Sequence, residues 1–294
     1  MTMRVLVVGG AGMLGHMMWR HARERFDAWV TLRGRWAEYE PLGLFERTRT
    51  FDGIDAGDLQ PLVRAFADAR PDVVVNCVGI VKQLAAAKDP VPSVTINALF
   101  PHRLADLCRA AGARLVHVST DCVFSGERGR YTEEDRADAD DLYGRSKHMG
   151  EVGSPHVTLR TSMIGRELRS ATGLVEWFLA QRGRSVQGYA GAVFSGLTTA
   201  ALAQTIGDVI ERHRDLAGLY HVAAAPIDKL TLLTRLRSAF DVDVTIDPAA
   251  LPRIDRSLDG GRFAAATGFA APSWDAMIAG LAADRAPYDN WRRQ

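Results

Sequence analysis

The sequence predicts a doubly wound α/β fold with a parallel sheet and a smaller, interleaved C-terminal lobe. Continuous apolar runs such as residues 5–8 are typical of strands buried on both faces of a parallel sheet. These runs alternate with helix-length segments up to residue 120, which indicates repeated strand–helix units. The alternation weakens beyond Arg166. We therefore assign residues 1–165 to the main domain, with some later segments returning to it, and residues 166–294 mainly to the smaller lobe.

The individual elements follow from short β-branched runs bounded by Gly, Pro, Asn or Asp, and from segments with helical periodicity. Predicted strands comprise residues 5–8, 28–32, 48–51, 72–79, 114–118, 156–160, 219–223 and 243–246. Predicted helices comprise residues 13–24, 59–69, 93–111, 143–152, 174–182, 198–212, 229–240 and 274–283. Residues 248–261 are predicted to form a loop, and residues 287–294 receive no assignment.

Composition excludes several classes of function. The 294 residues carry a net charge of +1, with 47% hydrophobic and 24% charged residues, so there is no electrostatic case for nucleic acid or a membrane surface. The three cysteines, Cys77, Cys108 and Cys122, lack metal-ligand spacing, and we predict no metal site. An odd number of cysteines without a secretory signal favours reduced thiols and a cytoplasmic location.

A glycine-rich turn directly follows the first strand and opens the first helix. Its glycines permit a tight turn and a close approach of the backbone to a diphosphate, which would lie at the helix N-terminus. Between a strand and a helix, this pattern predicts a dinucleotide site rather than a turn without ligand. The candidate cofactor-binding residues in this turn are Gly9, Gly10, Gly12, Met13, Leu14 and Gly15.

The second strand ends at Arg33, where an acidic residue would bind the ribose 2′-hydroxyl of NAD. An arginine suits a 2′-phosphate instead, so NADPH is favoured over NAD, although Arg33 as a solvated surface residue stays open. Further candidate cofactor contacts follow the third and fourth strands, where open α/β sheets bind ligands. They are Asp55, Asn76, Cys77 and Gly79.

Candidate catalytic residues lie at the end of the fifth strand and on the next helix. Ser119 and Thr120 end the strand, and Tyr143 and Lys147 are four residues apart, which places them on one helix face. A nearby ammonium favours the phenolate and would make the tyrosine more useful in proton transfer. The alternative for this short motif is an exposed tyrosine and a solvated lysine.

Taken together, these motifs resemble the extended short-chain dehydrogenase/reductases, and within them the dTDP-4-dehydrorhamnose reductase-like family. The resemblance runs from residue 3 to about residue 280 and implies a Rossmann fold. The segments that carry it are Gly9–Gly15, Ser119–Gly126, Tyr131–Glu134, Tyr143–Lys147, Leu159–Ser162 and Ser257–Asp259.

The resemblance implies an NADPH-dependent reductase that acts on the 4-keto group of a nucleotide-linked 6-deoxy sugar, in the biosynthesis of cell-surface polysaccharides. Tyr143 would protonate the alkoxide, Lys147 would bind the nicotinamide ribose and lower the tyrosine pKa, and Thr120 would hydrogen-bond the carbonyl. Ser119 would be the substitute for Thr120. A homodimer is usual in the superfamily. Candidate substrate contacts on nearby loops are Lys82, Gln83, Arg166 and Arg256.

Three departures from the pattern of this family bear on which substrate and reaction we expect. Cys122 stands where sugar-nucleotide dehydratases have a glutamate, which disfavours dehydration. Met163 replaces an aromatic residue, and the loop at 79–83 also differs, so another keto-sugar nucleotide fits as well as dTDP-4-dehydrorhamnose. Two alternatives remain: a non-catalytic NADP-binding subunit of the methionine adenosyltransferase type, and a nucleotide-sugar epimerase, against which Arg33 argues.

Overall fold

A computed structural model describes residues 2–83 and 85–292 and confirms the predicted doubly wound sheet. Seven parallel strands follow the order β11-β6-β5-β4-β1-β2-β3. The strands of this sheet are β1 (Arg4–Val8), β2 (Asp27–Thr31), β3 (Thr50–Phe51), β4 (Val73–Asn76), β5 (Arg114–Thr120), β6 (Val157–Thr161) and β11 (Gly218–His221). Since β11 comes from the C-terminal half and pairs with β6, a later segment does return to the main sheet.

Helices cover both faces of this sheet. The helices are α1 (Met13–Arg25), α2 (Trp36–Tyr39), α3 (Leu59–Ala69), α4 (Pro90–Ser93), α5 (Phe100–Ala111), α6 (Leu142–Met149), α7 (Leu174–Leu179), α8 (Thr199–Arg212), α9 (Lys229–Phe240), α10 (Gly261–Thr267), α11 (Trp274–Ala283) and α12 (Tyr288–Trp291). Alternate residues of β1 point to different cores: Val5 and Val7 to the core with α1 and α8, Leu6 and Val8 to the core with α3 and α5. Burial on both faces explains the unbroken apolar run.

Among the residues that the structure describes, three small sheets lie outside the main one, with orders β10-β7, β12-β9-β14 and β13-β8. Their strands are β7 (Met163–Ile164), β8 (Arg184–Tyr189), β9 (Ala192–Phe194), β10 (Leu197–Thr198), β12 (Ile227–Asp228), β13 (Val244–Ala249) and β14 (Ile254–Asp255). The predicted loop at 248–261 is thus wrong in part, since it contains β14 and the end of β13. The domain boundary at residue 165 stays a prediction.

The predicted helix 93–111 is interrupted. Residues Val94–Leu99 form a π-helical segment between α4 and α5, a distortion that is frequent at functional sites. Its side chain Asn97 is buried and turned toward the loop after β4, where its amide contacts the backbone of Ile80.

The C-terminal end of the chain packs on α1. The Tyr288 hydroxyl lies 3.1 Å from His16 Nε2, and Arg20 forms an ion pair with Asp284 at 2.7 Å. Because α1 opens at the glycine turn, these last residues support the helix that positions that turn.

No helix among residues 2–83 and 85–292 is long and apolar enough to cross a membrane.

Candidate active site

The glycine turn between β1 and α1 forms a cradle that side chains would fill. Gly9 has φ +91°, a conformation that favours glycine, and a Cβ on Gly15 would lie 2.0 Å from Gly9 O. A Cβ on Gly10 would lie 2.1 Å from Val30 Cγ2. Gly12 precedes α1 without a capping side chain, so the first amides of α1, at Met13 and beyond, are available to an anion. This arrangement fits a dinucleotide diphosphate.

Arg33 lies just beyond β2 and forms an ion pair with Asp55 beyond β3, with Nε 3.3 Å from Oδ2. Both side chains are exposed, and Asp55 Oδ1 also accepts from the amide of Gly57 at 2.7 Å. The structure therefore brings these two predicted cofactor contacts together. Their cofactor roles stay predictions.

The residues after β4 border both the glycine turn and Lys147. The Cys77 amide donates to Val8 O at 2.9 Å, and burial raises the pKa of its thiol to about 12. Asn76 is buried, and its amide contacts His117 Nδ1 at 3.1 Å, which gives its side chain a structural partner. A Cβ on Gly79 would lie 3.8 Å from Lys147 Nζ, so this glycine lies next to the ammonium.

Thr120 and Tyr143 come together at the end of β5. Asp141 caps α6 by accepting from the Gly144 amide at 2.7 Å, which fixes Tyr143 in the first turn of the helix. The pKa of the Tyr143 phenol responds to both Thr120 and Cys122, so the phenol lies beside these two side chains. Thr120 Oγ1 also contacts Asp121 Oδ1 and the amide of Cys122, each at 3.1 Å. The hydroxyl is therefore held in one place.

Lys147 is buried, and its Nζ donates to Val118 O at 2.9 Å. Burial lowers the pKa of Lys147 to about 8, although the charge of Glu151 opposes this shift. The pKa of Tyr143 is raised rather than lowered, first by burial and then by Cys122. Desolvation of the phenolate therefore dominates, and Lys147 is not among the main causes of the shift.

Ser119 points to the other face of β5. Its Oγ donates to Glu151 Oε1 at 2.7 Å, and Glu151 is paired with Arg160 through two bonds of 2.6 and 2.7 Å. Alternate strand residues face opposite ways, so Ser119 and Thr120 cannot both face Tyr143. Ser119 as the substitute carbonyl donor stays a prediction, and the geometry favours Thr120.

The four predicted substrate contacts divide into two groups. Lys82 Nζ pairs with Asp141 at 2.5 Å beside the helix of Tyr143, and Gln83 is exposed next to it. Arg256 Nε donates to Phe124 O at 2.8 Å, and its charge opposes the burial that raises the pKa of Asp121. Arg166 is instead paired with Glu176 at 2.6 Å and lies over the Tyr288 ring. Its contacts are with the C-terminal segments rather than with Thr120 or Tyr143.

Sequence reasoning missed the residues that support the site. Asn97 Oδ1 accepts from the amide of Ile80 at 2.8 Å, and its Nδ2 contacts Ser146 Oγ at 3.3 Å, which ties the loop after β4 to α6. Glu151 and Arg160 form the buried pair described above. A charged residue inside the otherwise uncharged run of β6 was the available signal, because a buried charge requires a partner.

Within the part of the chain that the structure describes, no group of His, Cys, Asp and Glu side chains could hold a metal ion.

Solved structures share this fold. The crystal structure of dTDP-4-dehydrorhamnose reductase from Bacillus anthracis in complex with NADP matches with a TM-score of 0.77 and 22% sequence identity, covering 96% of this chain and 99% of that chain. At this identity the likeness establishes the fold.

Sequence relatives cover part of the chain. The dTDP-4-dehydrorhamnose reductase of Streptomyces griseus is 35% identical over 164 residues, which are 55% of this chain and 48% of that protein. The methionine adenosyltransferase 2 subunit beta of Mus musculus is 28% identical over 148 residues, which are 50% of this chain and 41% of that protein. The chain spans about half the length of the curated relatives it matches. The family described as RmlD substrate binding domain matches residues 3–279, nearly the whole chain, and the protein belongs to this family.

Proposed function

We propose that the protein is an NADPH-dependent reductase of the 4-keto group of a nucleotide-linked 6-deoxy sugar, acting in the biosynthesis of cell-surface polysaccharides. The observation that carries this proposal is the meeting of the Thr120 hydroxyl and the Tyr143 phenol, with buried Lys147 one helical turn away. The relatives named as dTDP-4-dehydrorhamnose reductases support the same reaction class.

The cofactor would lie along the carboxyl edge of the sheet. The glycine turn would bind its diphosphate, Arg33 its 2′-phosphate, and Lys147 its nicotinamide ribose. When bound, the reduced nicotinamide supplies the hydride that converts the ketone to an alkoxide. Gly79 lies beside Lys147 and would therefore border that ribose.

Thr120 would orient the sugar carbonyl by turning its single O–H proton from Asp121 Oδ1 to the carbonyl oxygen, while the amide of Cys122 keeps the hydroxyl oxygen in place. Tyr143 donates the proton that neutralises the alkoxide oxygen. Its raised pKa keeps the phenol protonated before the reaction, as a general acid requires. Lys147 then stabilises the phenolate, since a pKa of about 8 leaves its ammonium largely charged at neutral pH.

The substrate diphosphate would lie near Lys82 and Arg256, with Gln83 as a further polar contact. Both cations lie beside the Asp121–Tyr143 region, and arginine suits phosphate oxygens. Arg166 is the weakest candidate because its guanidinium is already paired with Glu176. A cytoplasmic location and a homodimer also remain part of the proposal.

The test is turnover of NADPH with a panel of 4-keto-6-deoxy sugar nucleotides that differ in base and sugar. Loss of the absorbance of the reduced nicotinamide is expected with at least one of them, and Tyr143→Phe should abolish it. Arg145→Ala, on the exposed face of the same helix, is the matched control and should retain turnover. Oxidation of NADPH by none of the panel, with cofactor binding intact, would count against a reductase.

The similarity to a methionine adenosyltransferase subunit favours one second candidate, a non-catalytic NADP-binding subunit. That function requires a stoichiometric enzyme partner and no NADPH consumption. Co-purification from the native source followed by mass measurement separates the two. The intact Thr120, Tyr143 and Lys147 favour catalysis.

A further inference from the structure

Residues 165–173 run from the C-terminal half of the chain back to the glycine turn. We refer to this segment as the strap. Its residue Leu168 is buried, and a Cβ on Gly173 would lie 2.6 Å from Met13 Cε, so the strap reaches the start of α1. Glu167 fixes this end internally by accepting from the Gly173 amide at 2.7 Å.

The side chain of Arg169 extends from the strap to the residues that follow β2. Its Nη1 lies 3.2 Å from Glu38 Oε2, and its Nη2 donates to the backbone oxygen of Glu38. The guanidinium carbon lies 4.5 Å from the centre of the Tyr39 ring. The side chain remains 42% exposed, so part of the guanidinium is accessible from solvent.

Glu38 and Tyr39 hold the backbone of the turn that begins with Arg33. Glu38 Oε1 accepts from the Arg35 amide at 2.7 Å, and the Tyr39 hydroxyl accepts from the Gly34 amide at 3.3 Å. In dinucleotide-binding sheets this turn after the second strand contacts the ribose 2′ position. Arg169 is therefore attached to the part of the main sheet that distinguishes a 2′-hydroxyl from a 2′-phosphate.

We propose that Arg169 is a cofactor-discriminating residue that binds the 2′-phosphate together with Arg33. The inference rests on the NADPH part of the proposed function. A guanidinium has five N–H donors, and those not used by Glu38 can bind phosphate oxygens. Without Arg169, the Glu38 carboxylate would stand alone near the ribose, where an acid favours the 2′-hydroxyl of NAD and repels a phosphate.

The chain offers a closely matched control. Arg262 also comes from the C-terminal half, pairs with Glu134 at 3.3 Å, and lies over the ring of Tyr220 at 5.3 Å. Its side chain is 49% exposed. Arg169→Ala and Arg262→Ala therefore remove the same kind of contact in two places.

The experiment measures binding of adenosine 2′,5′-bisphosphate and adenosine 5′-monophosphate by calorimetry. The wild type should prefer the bisphosphate, and Arg169→Ala should lose about tenfold or more of that preference through loss of charge-assisted hydrogen bonds. Binding of the monophosphate should change little, and Arg262→Ala should match the wild type with both ligands. Adding Glu38→Gln to Arg169→Ala should recover part of the lost preference.

The outcomes separate this inference from the proposed function. A wild type that prefers the bisphosphate and an Arg169→Ala variant with the same preference would overturn the role of Arg169 and leave the reductase standing. A wild type without preference would overturn both the role of Arg169 and the choice of NADPH, and turnover with NADH would then decide whether a reductase remains. Equal thermal unfolding of the two alanine variants establishes that binding, not folding, has changed.

Discussion

The two ends of the carboxyl edge of the sheet each hold an arginine–carboxylate pair, in opposite surroundings. At the catalytic end, the side chains of Arg160 and Glu151 are 3% and 10% exposed. At the other end, which we call the adenosine end because we propose that it binds the ribose of the cofactor adenosine, those of Arg33 and Asp55 are 85% and 53% exposed. The first pair supports the strand that ends in Thr120, whereas the second lies in solvent, where we propose that the cofactor binds.

The buried pair is suited to keeping the site rigid, and the exposed pair is suited to recognising a ligand. A buried pair that loses one partner leaves an uncompensated charge, so the catalytic end tolerates little change. An exposed pair contributes little to stability, and its arginine can release the carboxylate and bind a ligand phosphate instead. Substitutions at the catalytic end should therefore change the free energy of unfolding and the turnover rate. Substitutions at the adenosine end should change the affinity for the cofactor and the dependence of that affinity on salt.

The largest effect on folding is expected from Glu151→Gln. Arg160 would lose its counter-charge inside the protein, and the free energy of unfolding should fall by about 3–5 kcal/mol. Urea unfolding measures this. A change below about 1 kcal/mol, the range of exposed pairs, would contradict the contrast between the two ends.

The pH dependence of stability gives a second test of the same ion pair. Burial alone would raise the pKa of Glu151, but hydrogen bonds from Arg160 and His148 hold it at about 2. A folded-state pKa below the unfolded value stabilises the protein above the unfolded pKa, and this stability is lost as pH falls toward the folded pKa. The wild type should lose it between about pH 4.3 and pH 2, and Glu151→Gln should lack this contribution.

The next effect concerns the two hydroxyls on opposite faces of β5. Thr120→Val removes the donor at the carbonyl and should lower kcat by about 10²–10³-fold, and it should also cost about 1–3 kcal/mol of stability because the bonds to Asp121 and the Cys122 amide are lost. Ser119→Ala removes a bond to Glu151 and should cost about 1 kcal/mol of stability with little change in kcat. Steady-state kinetics and thermal unfolding of both variants test this, and a reversed pattern would assign the carbonyl to Ser119.

Particular elements show which parts of the structure can be predicted from the sequence. The bounds of α3, α9 and α11 agree with prediction because each has a clear N-cap, at Asp58, Asp228 and Ser273. Strand β8 was missed because its sequence alternates weakly and it is stabilised by pairing with distant β13. In the same way, Thr120, Tyr143 and Lys147 belong to recognisable local motifs. Arg169 is one arginine in a loop, and only the folded chain brings it to Glu38.

A smaller effect is expected from Lys147→Met. Burial holds the pKa of Lys147 at about 8, below its value in the unfolded chain, so the unfolded state binds more protons between about pH 8 and pH 10.4. Lys147 should therefore contribute a rise in stability with pH in this window, by about 1–3 kcal/mol in total, at up to 1.4 kcal/mol per unit, against the opposite contribution of the buried thiols whose pKa values are raised. Lys147→Met should lack this rise, and exposed Lys88→Met should keep it. An identical slope in all three proteins would mean that Lys147 is hydrated in solution.

The smallest effect on folding is expected at the adenosine end. Asp55→Asn and Arg33→Gln should each change the free energy of unfolding by less than about 1 kcal/mol, because solvent screens this pair. Arg33→Gln should nevertheless weaken NADPH binding and reduce its dependence on salt, while NADH binding changes less. Asp55→Asn should leave Arg33 free and strengthen NADPH binding slightly. Calorimetric titrations at low and high salt measure both. If Arg33→Gln weakened NADPH and NADH equally, or if Asp55→Asn unfolded the protein as readily as Glu151→Gln, the adenosine end would be structural, and recognition of the 2′-phosphate would have to lie elsewhere.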